Sequence, residues 1–299
     1  MWLYIGSHDA YAESPRGSCV PNCVSILELA GPETTVDLRG LADLIRDRVK
    51  AAGSGKDKLE IVNRFFFNGL RFEVDESPES SESLLPGDVL TRRRGSCVGL
   101  AGVYLALSKL LDLPVAAVAA PGHIFVRFDD SHAWINVELL QAGRAFDDDW
   151  YVRTHKIPAA SISSGVFLRP LSEREFLGYL YANLGTTYSR VGDFGNSRVL
   201  YEAALRNTSQ LPFAYYNLGN DFLGQRLYRD AVKAYDATLD LFPTDVMALN
   251  NRGMAFCRLG KARRAQRDFQ AAIDLDPSFT QARTNLGTLH CSTTKDSQH

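Results

Sequence analysis

The sequence predicts an α+β domain followed by an all-α repeat solenoid, and two observations support this. In the N-terminal part, stretches with helical spacing precede several strand-like runs, which is typical of an α+β domain. These stretches are residues 38–52 and 58–69, followed by 115–120, 123–128 and 133–140. In the C-terminal part, the chain repeats itself every 34 residues, which is the mark of a solenoid.

These patterns divide the chain into four predicted segments. The α+β domain and the repeats make up most of it, and each terminus contributes a shorter piece: a segment of unclear role at 1–37, the domain at 38–170, the repeats at 171–291 and a flexible tail at 292–299. A length of 299 residues fits two domains.

Composition and charge exclude several classes of protein. Hydrophobic residues make up 45% and charged residues 23%, so a wholly disordered chain is not expected. The net charge of −2 gives no reason to expect nucleic acid or an acidic membrane as a partner. The longest apolar run, 98–107, is too short to span a membrane. The oligomeric state does not follow from any of these features.

Cysteine usage favours a reducing compartment. The chain has five cysteines, an odd and sparse count that argues against a disulfide scaffold. The first ten residues lack the basic start and long apolar segment of a signal peptide. We therefore expect a cytoplasmic location, with export by a segment outside this sequence as the alternative.

The first predicted elements are two helices and a loop. Apolar residues recur every three to four positions through 38–52 and again through 58–69. The acidic and serine-rich stretch 75–84 then predicts a surface loop.

Cys97 stands at the start of the next predicted helix, 97–112, with Ser96 as its N-cap. A helix N-terminus carries partial positive charge and unpaired N–H groups. These features favour a thiolate and can hold an oxyanion during acyl transfer. Cys97 is therefore a candidate nucleophile. The alternative is a small buried helix residue, which is common for a free cysteine.

A base and an orienting acceptor for such a thiol occur on the strands that follow. His123 begins the second strand-like run, directly after a turn predicted at Pro121-Gly122. Asn136 and Glu138 lie two positions apart on the third run, so both point to one face of the sheet. Cysteine, histidine and an acceptor on neighbouring elements can form a triad, with either Asn136 or Glu138 as the orienter.

The residues around this constellation resemble the transglutaminase-like superfamily. The resemblance rests on RRRGSCVGLAGVYLALSKLLDLPVAAVAAPGHIFVRF and on INVELLQAGR. More closely, they look like the branch typified by the N-terminal domain of SirB-type bacterial proteins, which often precedes tetratricopeptide repeats. The resemblance implies a papain-like core in which Cys97 matches the nucleophile, His123 the base and Glu138 the acidic member. Such acyl transfer needs no cofactor and no metal ion.

The repeats resemble the tetratricopeptide repeat. Asn183-Leu184-Gly185 returns in the same register as Asn217-Leu218-Gly219, Asn251-Arg252-Gly253 and Asn285-Leu286-Gly287. Small residues at these positions let two helices cross closely, and aromatic residues elsewhere in the register fill the gaps. We expect three full repeats over about 178–277 and a capping helix over about 279–290.

The repeated asparagines are candidates for binding a partner. The tetratricopeptide resemblance implies that Asn183, Asn217 and Asn251 lie on the concave face, where an asparagine can bond to the backbone of an extended peptide. Asn220 is a further candidate in the same groove. The alternative for these side chains is hydrogen bonding between helices. A protein or peptide partner is therefore expected.

Two functions compete at this stage. The first is a cysteine-dependent acyl-transfer enzyme that forms a thioester and then hydrolyses or transamidates an amide, with the repeats recruiting a protein partner or substrate. The second is a catalytically inactive scaffold for protein–protein interaction. A redox sensor built on Cys97 is a weaker third hypothesis.

Overall fold

The computed structural model describes residues 25–75, 80–130 and 133–288. Most of the predicted segment 1–37 and the whole of the predicted tail 292–299 lie outside the described residues. The fold class predicted from the sequence is confirmed, because a domain of helices and a β-sheet precedes a stack of helical repeats.

The chain begins with two helices, α1 (Ile26–Ala51) and α2 (Gly55–Asn63). Helix α1 is interrupted at Gly31, whose φ of 81° lies in the left-handed region, and Pro32 follows. Beyond this break the predicted periodicity is realised, because Leu38, Ala42 and Ile45 are buried. Helix α2 continues into a π-helical turn at Arg64–Gly69.

A small parallel pair of strands leads to the central helix. Strand β1 (Glu73–Val74) is followed by a 3₁₀ turn (Ser81–Ser83) and by α3 (Pro86–Arg92). Strand β2 (Arg94–Gly95) then pairs with β1 and delivers the chain to α4 (Cys97–Leu110).

A four-stranded antiparallel sheet follows α4. Its strands are adjacent in chain order: β3 (Val115–Ala120), β4 (His123–Asp129), β5 (Trp134–Glu138) and β6 (Arg144–Phe146). The first two strands form a hairpin in which Ala120 pairs with His123. Gly122 closes this turn with a φ of 67°, a conformation that favours glycine.

Helix α4 packs against β3 and β4 and is almost wholly buried. Leu100, Ala101, Tyr104 and Ala106 have no exposed surface, and each fully buried large apolar side chain contributes about 1.5–3 kcal/mol. Only glycine fits at position 99, since a Cβ there would lie 2.0 Å from the Ser83 carbonyl oxygen. Close packing thus fixes the N-terminal turn of α4 against the preceding loop.

Two short helices connect the sheet to the repeats, α5 (Asp148–His155) and α6 (Ala159–Ser163). The repeat helices then follow as three antiparallel pairs and a final single helix: α7 (Glu173–Arg190), α8 (Phe194–Asn207), α9 (Pro212–Gly224), α10 (Tyr228–Leu241), α11 (Val246–Arg258), α12 (Ala262–Leu275) and α13 (Thr280–Gly287).

The repeated glycines allow the close crossing within each pair. A Cβ at these positions would lie less than 3 Å from an aromatic ring sixteen residues later, which no ordinary packing permits. The three pairs are Gly185 with Tyr201, Gly219 with Tyr235, and Gly253 with Phe269. The glycines that recur every 34 residues are therefore the positions at which the two helices of each pair approach closely.

Arg252 departs from the repeat, since leucine holds the equivalent position in the other units. Its guanidinium donates two hydrogen bonds of 2.8 Å to the carboxylate of Asp268 and one of 2.7 Å to Asp236. A bidentate ion pair, half-buried between helices, thus replaces an apolar contact.

The repeats are docked directly on the α+β domain. One continuous hydrophobic core extends from α1 through the sheet to α9. The Ser161 hydroxyl donates a hydrogen bond of 2.9 Å to the Leu241 carbonyl, and Ile26 N donates one of 2.6 Å to Glu173. No helix in the described part of the chain combines the length and the hydropathy that a membrane span requires.

Candidate active site

Cys97 is the first residue of α4, as the sequence predicts. Ser96 caps the helix because its Oγ accepts a hydrogen bond of 3.1 Å from Gly99 N. Ser96 is itself fixed, since its backbone N–H and its hydroxyl both donate to the Ser83 carbonyl. The Cys97 thiol is free and partly exposed. The first N–H groups of α4 have no partner within the helix and lie beside it.

His123 lies at the start of β4, after the Gly122 turn, and is close enough to the Cys97 thiol for that group to raise its pKa. Its other contact is with a carboxylate, because His123 Nε2 is 2.7 Å from Glu138 Oε2. Both side chains are shielded from water, with 9% of His123 and 2% of Glu138 exposed. The structure thus brings together the three residues that the sequence singled out, in the order thiol, imidazole, carboxylate.

Both oxygens of the Glu138 carboxylate are occupied. Oε2 accepts a hydrogen bond of 3.2 Å from the Tyr151 hydroxyl in addition to facing His123. Oε1 accepts one of 2.9 Å from the backbone N–H of Leu140. A buried carboxylate needs such partners, and here they also fix the direction in which it faces the imidazole.

The surroundings keep His123 protonated. Burial by itself opposes the charge, but the hydrogen bonds and charges of Cys97 and Glu138 outweigh it and raise the pKa of His123 to about 9. An imidazolium beside the Glu138 carboxylate is therefore the dominant form of His123 at neutral pH. This is the charge arrangement that a thiolate–imidazolium nucleophile requires.

A second histidine stacks on the first. The ring of His155, at the end of α5, lies 5.1 Å from that of His123, measured between centroids. Its Nδ1 is 3.2 Å from the Pro121 carbonyl oxygen. Burial, together with the positive charge of His123, lowers the pKa of His155. The pair therefore divides the roles, with His123 charged and His155 neutral.

Asn136 lies elsewhere in the hydrogen-bond network. Its Oδ1 accepts a hydrogen bond of 2.7 Å from Arg127 Nε, and its Nδ2 donates one of 2.8 Å to Asp148. Arg127 is 2% exposed and also binds Asp148. Glu138, and not Asn136, is the residue that contacts His123, while Asn136 joins the sheet to the start of α5.

A cavity of about 610 Å³ opens beside the thiol, a size typical of ligand pockets. Its near wall contains Cys97, His123 and His155. Its far wall comes from the repeats and includes Phe213 and Met247. The site therefore lies between the two parts of the chain.

The four asparagines of the predicted groove have different surroundings. Asn183 lines the cavity, although its Nδ2 donates to the Tyr179 carbonyl of its own helix. Asn217 likewise donates within its helix, to Phe213. Asn220 and Asn251 are hydrogen bonded to each other at 2.9 Å, which links α9 to α11. Binding of a partner through these four residues stays a prediction.

Sequence reasoning missed Tyr151 and His155. Both lie on α5, and they reach the site through contacts with residues 13 and 34 positions away in the sequence. Their spacing of four residues on one helix face was the available signal.

Among residues 25–75, 80–130 and 133–288, no group of three or more His, Cys, Asp or Glu side chains is placed to hold a metal ion.

Comparison with known proteins gives related sequences and folds. The chain is 24% identical over 194 residues to the UPF0162 protein of Xylella fastidiosa (strain 9a5c), covering 62% of this chain and 68% of that protein. The fold is similar to the crystal structure of menin, with a TM-score of 0.53 and 14% identity over 85% of this chain and 65% of menin. The repeats are similar to the Arabidopsis OM64 TPR domain, with a TM-score of 0.38 and 19% identity over 39% of this chain and 97% of that domain.

Family models match both parts of the chain. The model described as "Transglutaminase-like superfamily" matches residues 33–181, a range that includes Cys97, His123 and Glu138. The tetratricopeptide repeat model matches 216–261 and 251–292. The chain therefore belongs to the transglutaminase-like superfamily and joins a domain of that family to tetratricopeptide repeats.

Proposed function

We propose that this protein is a cysteine-dependent acyl-transfer enzyme that acts on an amide bond through a thioester. The observation that supports this function is the placement of Cys97 and His123 together at the wall of a cavity, with His123 Nε2 2.7 Å from Glu138 Oε2 behind them. The position of Cys97 at the N-terminus of α4 adds N–H groups where an oxyanion would form.

In the first half of the reaction, His123 holds the proton of the Cys97 thiol and the thiolate attacks the amide carbon. The carbonyl oxygen becomes an oxyanion beside the first N–H groups of α4. His123 then gives its proton to the leaving amine, the carbon–nitrogen bond breaks, and the acyl group stays on Cys97 as a thioester.

In the second half, an acceptor replaces the leaving amine. His123 removes a proton from water or from an incoming amine, which attacks the thioester and releases the acyl product and the Cys97 thiol. Water gives hydrolysis and an amine gives transamidation. Throughout both halves, Glu138 orients the imidazole and offsets its charge, and Tyr151 orients Glu138.

Alkylation of Cys97 tests the thiolate–imidazolium pair. The rate of labelling by iodoacetamide is measured from pH 5 to 9 by peptide mapping, so that the Cys97 peptide is followed apart from the other cysteines. Rapid labelling at pH 6, lost in His123→Ala and slowed in Glu138→Gln, is expected. An ordinary thiol titration that is unchanged in His123→Ala would overturn the proposed function.

Capture of the thioester tests the covalent step. Incubation with an N-acetylated dipeptide p-nitrophenyl ester, followed by acid quenching and mass spectrometry, should give an acyl adduct on Cys97. The Cys97→Ser variant is the control and should give no adduct on the same time scale. Equal labelling of both proteins would argue against a nucleophilic Cys97.

The second candidate function is an inactive scaffold. It is favoured by the exposed apolar side chains of Met247 and Leu275, which are 49% and 46% exposed on the repeat side of the cavity. Exposed apolar residues clustered at one site are typical of a surface that binds a protein. A scaffold predicts that Cys97→Ser keeps every activity of the protein in its cell, whereas the enzyme predicts their loss.

A further inference from the structure

The repeat side of the cavity is built from one position of the 34-residue register. Tyr179, Phe213 and Met247 occupy this position on α7, α9 and α11, and all three line the cavity. Further apolar walls come from Phe167, Phe242 and Val246. The cavity can therefore bury apolar groups of a ligand within reach of Cys97.

Asp245 places one uncompensated negative charge in this apolar wall. Its Oδ1 caps α11 by accepting hydrogen bonds of 3.0 Å from Met247 N and Ala248 N. Among the described residues, none donates to its Oδ2 and no ion pair involves it. The other carboxylate of the lining, Asp276, is 3.8 Å from the ammonium group of Lys156. Burial raises the pKa of Asp245, as expected for a carboxylate that lacks a counter-ion.

The repeat itself does not require an acidic residue at this position. The equivalent residues, 34 positions before and after, are Leu211 and Phe279. They stand at the starts of α9 and α13, and both helices form without a capping side chain. Among these three positions, the charge is thus particular to the unit that begins with α11.

Tyr179 contributes its ring to the same wall. The residue lines the cavity and is only 6% exposed. Its hydroxyl is buried within the protein and has no hydrogen-bond partner among the described residues, so the polar selectivity of the cavity rests on Asp245.

We propose that the cavity takes a peptide segment that carries a cationic group next to an apolar side chain. The cationic group pairs with Asp245, and the apolar side chain packs on Phe213 and Phe242. The cation is either a lysine or arginine side chain or the N-terminal ammonium group. The inference rests on the proposed function only in taking this segment to be the substrate of Cys97.

Binding of peptide libraries to the full-length Cys97→Ser protein tests the inference without turnover. Two pentapeptide libraries are used, one N-acetylated and one with a free amine, each with a fixed phenylalanine and randomised neighbours. Enrichment of bound peptides is measured by mass spectrometry. We expect lysine or arginine to be enriched at least 10-fold over glutamate in the acetylated library, or the free-amine library to bind at least 10-fold more tightly if the cation is the N-terminus.

Variants of the polar groups carry the decisive comparison. Asp245→Asn keeps the helix cap, because asparagine caps as well as aspartate, and should abolish the preference for the cation. Asp274→Asn, at an exposed carboxylate outside the lining of the cavity, is the matched control and should leave the preference within twofold of the parent protein.

The failure of this inference is distinguishable from that of the proposed function. An absent cation preference, a preference that survives Asp245→Asn, or no binding by the folded protein would overturn the inference. A thioester on Cys97 formed equally from neutral and cationic peptides would also overturn the inference and leave the proposed function standing. Cation-selective binding that depends on Asp245, without any thioester, would overturn the proposed enzyme alone.

Discussion

The imidazole rings of His123 and His155 lie parallel, with an angle of 5° between their planes and 5.1 Å between their centroids. Two cations at this separation repel each other, so one ring is protonated at a time. The protonated ring is the one whose neighbours stabilise the positive charge more strongly. His123 has Cys97 and Glu138, whereas His155 has only a backbone carbonyl oxygen and the edge of the cavity. The stack thus holds one charged and one neutral histidine.

The protonated state of His123 predicts how stability depends on pH. The pKa of His123 is about 9 in the folded protein and about 6.5 in an unfolded chain. The stabilisation is therefore complete below about pH 6.5 and is lost as the pH rises through about 9. Over this interval the contribution of His123 to the free energy of unfolding should therefore fall as the pH rises.

Urea unfolding at pH 6.5 and pH 9 measures this contribution. The wild type should lose more stability between the two values than His123→Gln, because the variant lacks the titrating ring. Parallel losses in both proteins would show that His123 does not hold its proton more tightly in the folded state.

We expect removal of the side-chain hydroxyl to destabilise the protein at Tyr151 but not at Tyr179. Tyr151→Phe removes the hydrogen bond to Glu138 Oε2 from a fully buried site and should lower the free energy of unfolding by about 1.5–3 kcal/mol. Tyr179→Phe is the matched control. Its hydroxyl has no partner among the described residues, so urea unfolding should show no loss. Equal losses in the two variants would contradict the assignment of the Tyr151 hydrogen bond.

Because Arg252 forms an ion pair, we expect its replacement by the leucine of the other units to destabilise the protein. Arg252→Leu matches the other units but leaves the nearly buried carboxylate of Asp268 without a counter-ion, so the loss should be about 3 kcal/mol. The double variant Arg252→Leu/Asp268→Leu should recover most of it. Chemical denaturation of the three proteins measures both effects, and a stabilised single variant would contradict the expectation.

We expect alanine to have opposite effects on stability at Gly219 and at Gly40. Gly219→Ala places a Cβ 2.6 Å from the Tyr235 ring and should cost about 1–3 kcal/mol. Gly40→Ala, on the exposed face of α1 with no atom within 4 Å of the new Cβ, should instead stabilise the protein by about 1 kcal/mol. Thermal unfolding distinguishes them, and a neutral Gly219→Ala would show that α9 and α10 can separate at little cost.

Local patterns in the sequence predicted the elements that depend on local chemistry. Ser96 marks the start of α4 because a serine hydroxyl can accept a hydrogen bond from an N–H group of the first helical turn. The 34-residue register follows from contacts that each unit repeats. The meeting of Cys97, His123 and Glu138 was predictable because α4, β4 and β5 lie close together in the chain, with only β3 between them, and the strands pair in chain order.

Long-range packing explains what the sequence left open. Nothing near Asn136 in the chain announces that Arg127 and Asp148 would bind it, so its role as orienter could not be decided from the alternation of β5. Tyr151 and His155 reach the site only because α5 folds back over the sheet. The cavity depends on how the repeats dock on the domain, and no local pattern encodes that placement.

In the proposed enzyme, the groups that react and the residues that select the ligand come from different parts of the chain. The thiol and imidazole lie before residue 124, whereas Phe213, Asp245 and Met247 all lie after residue 212. Substitutions or exchanges of units in the repeats would therefore alter which ligand fits without disturbing the reacting atoms. A fixed chemistry can in this way be redirected to new ligands by changes in a part of the chain that tolerates modular replacement.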